Sequence, residues 1–153
     1  LVRSRGLGDV YKRQVLSAFE LDDGHFLHKE DKSFFEKMMQ IIDSHIQNTD
    51  LSVELLSSSL GYSTRQFYRK LKNVTEKTPA DIIREYRLTI VERLLLTTQL
   101  SIEEIMDKTG FSNRGTFYKA FAQKFEMTPK QYRNIKTKDV HDASEEGGGT
   151  MNV

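Results

Sequence analysis

Arg65, Tyr68, Arg69 and Lys72 fall at i, i+3, i+4 and i+7, the spacing that gathers four side chains on one side of a helix. About 50 residues on, Arg114, Gly115, Tyr118 and Lys119 repeat the mixture of cations and a phenol, with a glycine among them. A guanidinium is a planar fork that can meet two neighbouring acceptors, such as O6 and N7 of guanine, and an ammonium is a point charge suited to phosphate. Ser63, Thr64 and Lys70 in the first set, and Ser112, Asn113 and Lys124 in the second, add hydroxyl, amide and ammonium donors. Such donors, together with the N-terminal amides of a helix, suit phosphate oxygens. The eight residues of the two rows are therefore candidates for base contacts and the six others for phosphate contacts. One such row alone is matched as well by an ordinary solvated helix face, and its recurrence favours the chemical reading.

The elements that must carry these rows are legible from a repeat. The segment from Leu51, LSVELLSSSLGYSTRQFYRKLKNVTEKTPADII, is spelt again from Leu100 as LSIEEIMDKTGFSNRGTFYKAFAQKFEMTPKQYR. Leu51, Ser52, Gly61, Tyr62, Ser63 and Arg65 match Leu100, Ser101, Gly110, Phe111, Ser112 and Arg114 at an offset of 49. After a one-residue slip around Gly115, Phe67, Tyr68, Leu71, Glu76, Thr78 and Pro79 match their counterparts at an offset of 50. Such self-similarity marks one supersecondary unit used twice.

Each unit reads as helix, glycine turn, helix, the helix-turn-helix plan. Val53, Leu56 and Leu60 form the apolar stripe of a short helix ending at Gly61, followed by a second helix capped at Ser63, with Phe67, Leu71 and Val74 inward. Ile102, Ile105 and Met106 serve the second unit, whose glycine is Gly110 and whose next cap is Asn113 or Ser112. Ser63/Gln66, Ser101/Glu104, Thr78/Asp81 and Thr128/Gln131 have capping-box spacing. Pro79 and Pro129 stand at first helical positions, where the missing N–H costs nothing. Residues 79–98 hold no breaker and predict one connecting helix of about 28 Å at 1.5 Å per residue, close to the ~34 Å between successive major-groove faces of B-DNA. Phe35, Met38, Met39, Ile42 and Ile46 predict a preceding amphipathic helix from Asp31 to about Gln47, with His45 beside its stripe as a packing residue.

The 153 residues suffice for one ordinary domain, with no apolar run approaching the ~18 residues of a membrane span and no cysteine for disulfides or thiolate metal sites. The net charge of +1 conceals a gradient: residues 50–136 carry 15 Lys/Arg against 10 Asp/Glu, whereas residues 137–153 carry 1 against 4. A basic repeat region between acidic flanks is the sense expected for a polyanion partner. No Gly-rich phosphate loop or metal-ligand cluster supports an enzyme, and His25 and His28, a weak metal pair at i, i+3, sit in a polar segment. No metal or cofactor is expected.

Taken with the paired Gly110-Phe111 turn, Phe117, Phe121, Thr128-Pro129 and Tyr132-Arg133, residues 35–135 resemble the DNA-binding domain of AraC/XylS-type transcription regulators. The resemblance implies an all-α fold of about seven helices, in which two helix-turn-helix subdomains flank a long connecting helix. It also implies sequence-specific binding of double-stranded promoter DNA in the cytoplasm, with the second helix of each repeat in successive major-groove segments and RNA polymerase as a further partner. The segment FFEKMMQIIDSHIQNTDLSVELL resembles the output domain of hybrid two-component regulators, which implies a receiver domain upstream of Leu1. A helical protein-interaction module that kept this fold without DNA affinity is the alternative.

Two departures stand against the family pattern. Glu76 and Glu126 replace the glycine usual before x-Thr-Pro, and a position of positive φ would cost glutamate on the order of 1 kcal/mol. The small residue of the first helix is Ser57 in one copy and Met106 in the other, which implies altered packing in the second. The expected layout is then a leader at 1–14 that resembles translated adapter sequence, a linker at 15–30 and the DNA-binding domain at 31–136, divided as 31–78, 79–98 and 99–136. A disordered acidic tail at 137–153 completes it.

Overall fold

The computed structural model describes residues 29–146, and the expected leader, most of the linker, and His25 and His28 lie outside them. Seven helices and no strand occur among the described residues: α1 (Lys29–Ser44), α2 (Val53–Ser59), α3 (Thr64–Val74), α4 (Pro79–Thr97), α5 (Ile102–Thr109), α6 (Arg114–Phe125) and α7 (Pro129–Glu146). The all-α expectation, two helix-turn-helix units around a connecting helix, is met.

The helix ends form for the local reasons their residues supply. All four capping boxes close: Ser63 with Gln66, Thr78 with Asp81, Ser101 with Glu104, and Thr128 with Gln131 each exchange two hydrogen bonds. Both glycine turns are left-handed, with φ of 78° at Gly61 and 79° at Gly110. In each, the next aromatic N–H reaches back five residues along the turn, Tyr62 to the Ser57 carbonyl at 2.9 Å and Phe111 to the Met106 carbonyl at 3.0 Å. This closure satisfies carbonyls that the helix end leaves orphaned. Met106 is buried where Ser57 is buried in the other copy, so the larger side chain is absorbed in the core.

α4 buries Ile82, Ile83, Tyr86, Leu88, Ile90, Val91, Leu94 and Leu95 around more than one side, as a helix packed between neighbours must, and leaves its charged residues to the remaining face. It packs against α5, α6 and α7, while α1 packs on α2 and α2 on α3. The buried side chains of all these helices form one cluster, including Phe35, Met38 and Met39 of α1 and Phe117 and Phe121 of α6. His45, beside the α1 stripe, sets Nδ1 2.9 Å from the Ile41 carbonyl and so finishes that helix end.

A second repeat, a Tyr-Arg pair at an offset of 46, ties the units to the helices before them. Tyr86 of α4 donates to Asp43 of α1, and Arg87 Nη2 donates to the Asn48 carbonyl at 2.7 Å. Tyr132 of α7 likewise donates to Glu92 of α4, while Arg133 donates through Nε to the Leu95 carbonyl at 3.0 Å and through Nη2 to the Thr98 carbonyl at 3.4 Å. Each Tyr-Arg pair thus fastens the C-terminal end of the preceding helix, where a cation also complements the helix dipole. Burial, reinforced by the bond to Glu92, holds the Tyr132 hydroxyl well above the usual phenol range.

One boundary lies beyond its expected place. α7 runs on to Glu146 instead of ending near Lys136, because no breaker interrupts TKDVHDASEE before the glycines at 147–149. The two glutamates before Thr-Pro also part company. Glu126 adopts the left-handed conformation, φ 59° and ψ 22°, directly after α6. In the first copy the helix ends one position earlier, at Thr75, which is extended at φ −154° and ψ 153°, so Glu76 needs no positive φ. Thr75 is buried and its hydroxyl accepts the Lys77 N–H at 3.1 Å, which suits a β-branched residue in an extended turn. Glu126→Gly is therefore expected to raise stability by about 0.5–1 kcal/mol, strain relief less the added freedom of the unfolded chain. Glu76→Gly brings only the freedom and should lower stability slightly. Thermal melts of the two variants that moved in the same direction would refute this assignment of strain.

Candidate nucleic-acid interface

α3 and α6 each turn one face into the core and another outward. Phe67, Leu71 and Val74 are buried on α3, and Phe117, Ala120 and Phe121 on α6. On the outward side of α3, Arg65, Arg69 and Lys72 are exposed and Tyr68 is 48% exposed, a large value for an aromatic ring. None of these three cations holds an ion pair among the described residues. The Tyr68 ring leans edge-on against Phe67, 6.3 Å between centroids, so the phenol stands on the core instead of hanging free. Behind this row an open, mainly apolar cleft of about 410 Å³ runs between α3 and the start of α4, bordered by Tyr68, Leu71, Thr75 and Pro79.

On α6 the row is assembled differently. Lys119 is exposed and Tyr118 half-buried, its ring 5.4 Å edge-on from Phe117. Arg114 bonds Glu103 of α5 at 2.8 Å and lies with its guanidinium carbon 5.4 Å from the centre of the Tyr118 ring. Gly115 sits against the cap: a Cβ there would stand 3.3 Å from Asn113 Oδ1, so the glycine keeps the backbone at this corner open to close approach.

The helix N-termini carry the other donors. Ser63 Oγ accepts the Gln66 N–H at 3.2 Å, which leaves its own hydrogen to donate outward, and Thr64 opens α3 with an N–H that no intrahelical acceptor takes. Asn113, not Ser112, caps α6, its Oδ1 accepting the Thr116 N–H at 2.9 Å, while Ser112 is exposed in the turn before it.

This choice of cap relocates the slip between the copies. The glycine turns correspond at an offset of 49, but the caps Ser63 and Asn113 already correspond at 50. The extra residue therefore lies in the second turn, before Asn113 and not around Gly115. Thr64 is the positional counterpart of Arg114, and Arg65 that of Gly115. The shared letters Ser-x-Arg had paired residues that the helices do not.

The structure does not bring the two phosphate-contact lysines to these rows. Lys70 lies over the rings of Phe34 and Tyr62, 5.4 and 5.8 Å from their centres, on the side of α3 that faces α1. Lys124 donates to Thr89 of α4 at 3.3 Å, and burial lowers its pKa from the ordinary lysine value against the opposing pull of Glu85 and Glu92. Both fall three residues after a buried aromatic, Phe67 or Phe121, which sets them beside the outward rows instead of within them, with Lys124 still exposed. No cluster of His, Asp and Glu suited to a metal, and no helix long and apolar enough to cross a membrane, occurs among the described residues.

Comparisons with known proteins agree with this architecture. A family model described as "Helix-turn-helix domain" matches residues 56–135. The chain is 34% identical over 104 residues to "Histidine kinase P4" of Formosa agariphila, covering 68% of this chain and 8% of that protein. It is 30% identical over 103 residues to "Regulatory protein SoxS" of Escherichia coli, covering 67% of this chain and 95% of that one. Among solved structures, the C-terminal domain of the two-component response regulator yesN from Fusobacterium nucleatum is similar at a TM-score of 0.59 and 28% identity, over 64% of this chain and 95% of that one. The DNA-binding domain of AdpA, solved in complex with a target DNA, shares the fold at a TM-score of 0.60 and 24% identity, over 67% and 90% of the two chains. Two helix-turn-helix units on one connecting helix, matched over residues 56–135 by that family model and over 95% of its length by a regulator, place the chain in the AraC/XylS family of transcription regulators.

Proposed function

We propose that this chain is the DNA-reading segment of a transcription regulator, with α3 and α6 as recognition helices in successive major-groove segments. The observation that carries the reading is the outward row of α3: three exposed cations without an ion pair among the described residues and a phenol braced on the core, immediately after a capped N-terminus. Arg65 and Arg69 supply forks for guanine and Lys72 and Tyr68 single donors, while Arg114, Gly115, Tyr118 and Lys119 form the second reading face. Ser63, Thr64, Ser112 and Asn113 hold phosphates at the helix starts. α4, about 28 Å long at 1.5 Å per residue, supports a span of roughly one turn of B-DNA between the two faces.

Selecting sites from a random duplex pool with the chain tests this directly. The expected result is a site with two half-elements about one helical turn apart and affinity that falls steeply with salt as phosphate contacts release counterions. Arg65→Ala or Arg69→Ala should remove about 1–3 kcal/mol of discrimination at a single base position. A gel shift insensitive to both salt and sequence would sink the reading. The regulator's remaining parts belong to the same proposal: a receiver domain upstream, RNA polymerase as partner and a cytoplasmic setting. The match to a small part of a histidine kinase and to a response-regulator domain supports the first of these.

A further inference from the structure

We propose that Glu103 is a specificity-determining residue of the second helix-turn-helix, holding Arg114 and Tyr118 as one unit for a base edge and withholding the guanidinium from phosphate. The proposal rests on α6 being a recognition helix.

Arg114 is the first residue of α6 and Glu103 the second of α5, so the pair bridges the two helices of the unit just where both N-termini open. Nη1 meets Glu103 Oε1 at 2.8 Å, Nη2 stands 3.5 Å from the Tyr118 hydroxyl, and the guanidinium carbon lies 5.4 Å from the centre of that ring. The two charged side chains are 65% and 75% exposed, so burial does not force them together and solvent or a ligand can reach both. An open cleft of about 490 Å³ adjoins them, with Lys130 and Arg133 of α7 on its far side.

An anion approaching this corner meets a guanidinium already neutralised by a carboxylate that repels the newcomer. A base edge carries no net charge, and the N–H groups not used by Glu103 remain free to meet it. Glu103 therefore penalises phosphate more than base, which costs general affinity and favours discrimination. The first unit has no such arrangement: Thr64 stands where Arg114 does, and Arg65 and Arg69 hold no ion pair among the described residues.

The test measures affinity of the full chain for its selected duplex and for a scrambled duplex across a salt series. Glu103→Gln is expected to tighten binding to the scrambled duplex by about two- to fivefold, the range of an exposed pair, and to shrink the ratio between the two duplexes. The plot of log K against log salt should steepen by about 0.9, one added phosphate contact. Glu103→Asp, which keeps the charge, should retain the parent slope, and Glu103→Gln with Arg114→Ala should lose the added contact. The unfolding midpoint should fall only slightly, since the pair is exposed and the carboxylate in the first turn of α5 adds only a small helix-dipole contribution. Unchanged slope and ratio in Glu103→Gln, with the parent binding normally, would overturn the proposal. Failure of the parent to bind any duplex in a salt-dependent way would overturn the reading of α6 as well.

Discussion

Gly110→Ala should destabilise the chain by about 3 kcal/mol or more, combining left-handed strain with overpacking, whereas Gly61→Ala should cost only the strain, about 1–2 kcal/mol. The two glycines share their φ, but their surroundings differ. A Cβ on Gly61 would meet nothing within 4 Å, while one on Gly110 would lie 2.2 Å from the Ile46 carbonyl oxygen and 2.9 Å from Arg87 Nη2. That oxygen is backbone at the end of α1, and the guanidinium is the one that fastens the Asn48 carbonyl, so neither can yield without moving the joint between α1 and α4. Urea unfolding of both variants measures the difference. Equal losses would show that the turn and the α1 end are not in contact.

Phe121→Ala is the second large effect, expected at about 3–5 kcal/mol. Phe121 is fully buried and joins Phe125, Tyr132 and Phe117 at centroid distances of 4.5, 5.8 and 6.2 Å. Its counterpart Leu71 is as well buried but contributes no ring, so Leu71→Ala should cost less by roughly one aromatic pair, about 0.5–1.5 kcal/mol. The loss should appear both in denaturant midpoint and in the near-ultraviolet signal of the tyrosine that Phe121 supports. A Phe121→Ala chain within about 1 kcal/mol of the parent would mean that the cavity collapses and the ring cluster is not what seats α6.

Much of this was legible in the residues because local chemistry determined it. Capping boxes, prolines at first helical positions and glycines at left-handed turns act within a few residues, and every one formed as spaced. The apolar stripes of α3 and α6 likewise determined which faces turn outward. What escaped depends on through-space partners or on one-residue register. Lys70 and Lys124 were placed by charge type, though their position three residues after buried rings sets them beside the rows, toward α1 and α4. Tyr86-Arg87 and Tyr132-Arg133 are the same dipeptide, but at an offset of 46 they fall outside the main repeat, and only the fold shows both fastening a preceding helix end. The Glu103–Arg114 pair spans eleven residues and two helices, a spacing without local meaning.

The extra residue in the second turn has a consequence for register on the duplex. A protein whose two reading heads were identical would recognise a word and its repeat, and sliding it by one word would leave half its contacts satisfied. Here Arg65 is answered by Gly115 and Thr64 by Arg114, so on the proposed reading the two heads would spell different words. A single copy docked through both heads would then have one register on the duplex, because a slide by one word would satisfy neither head.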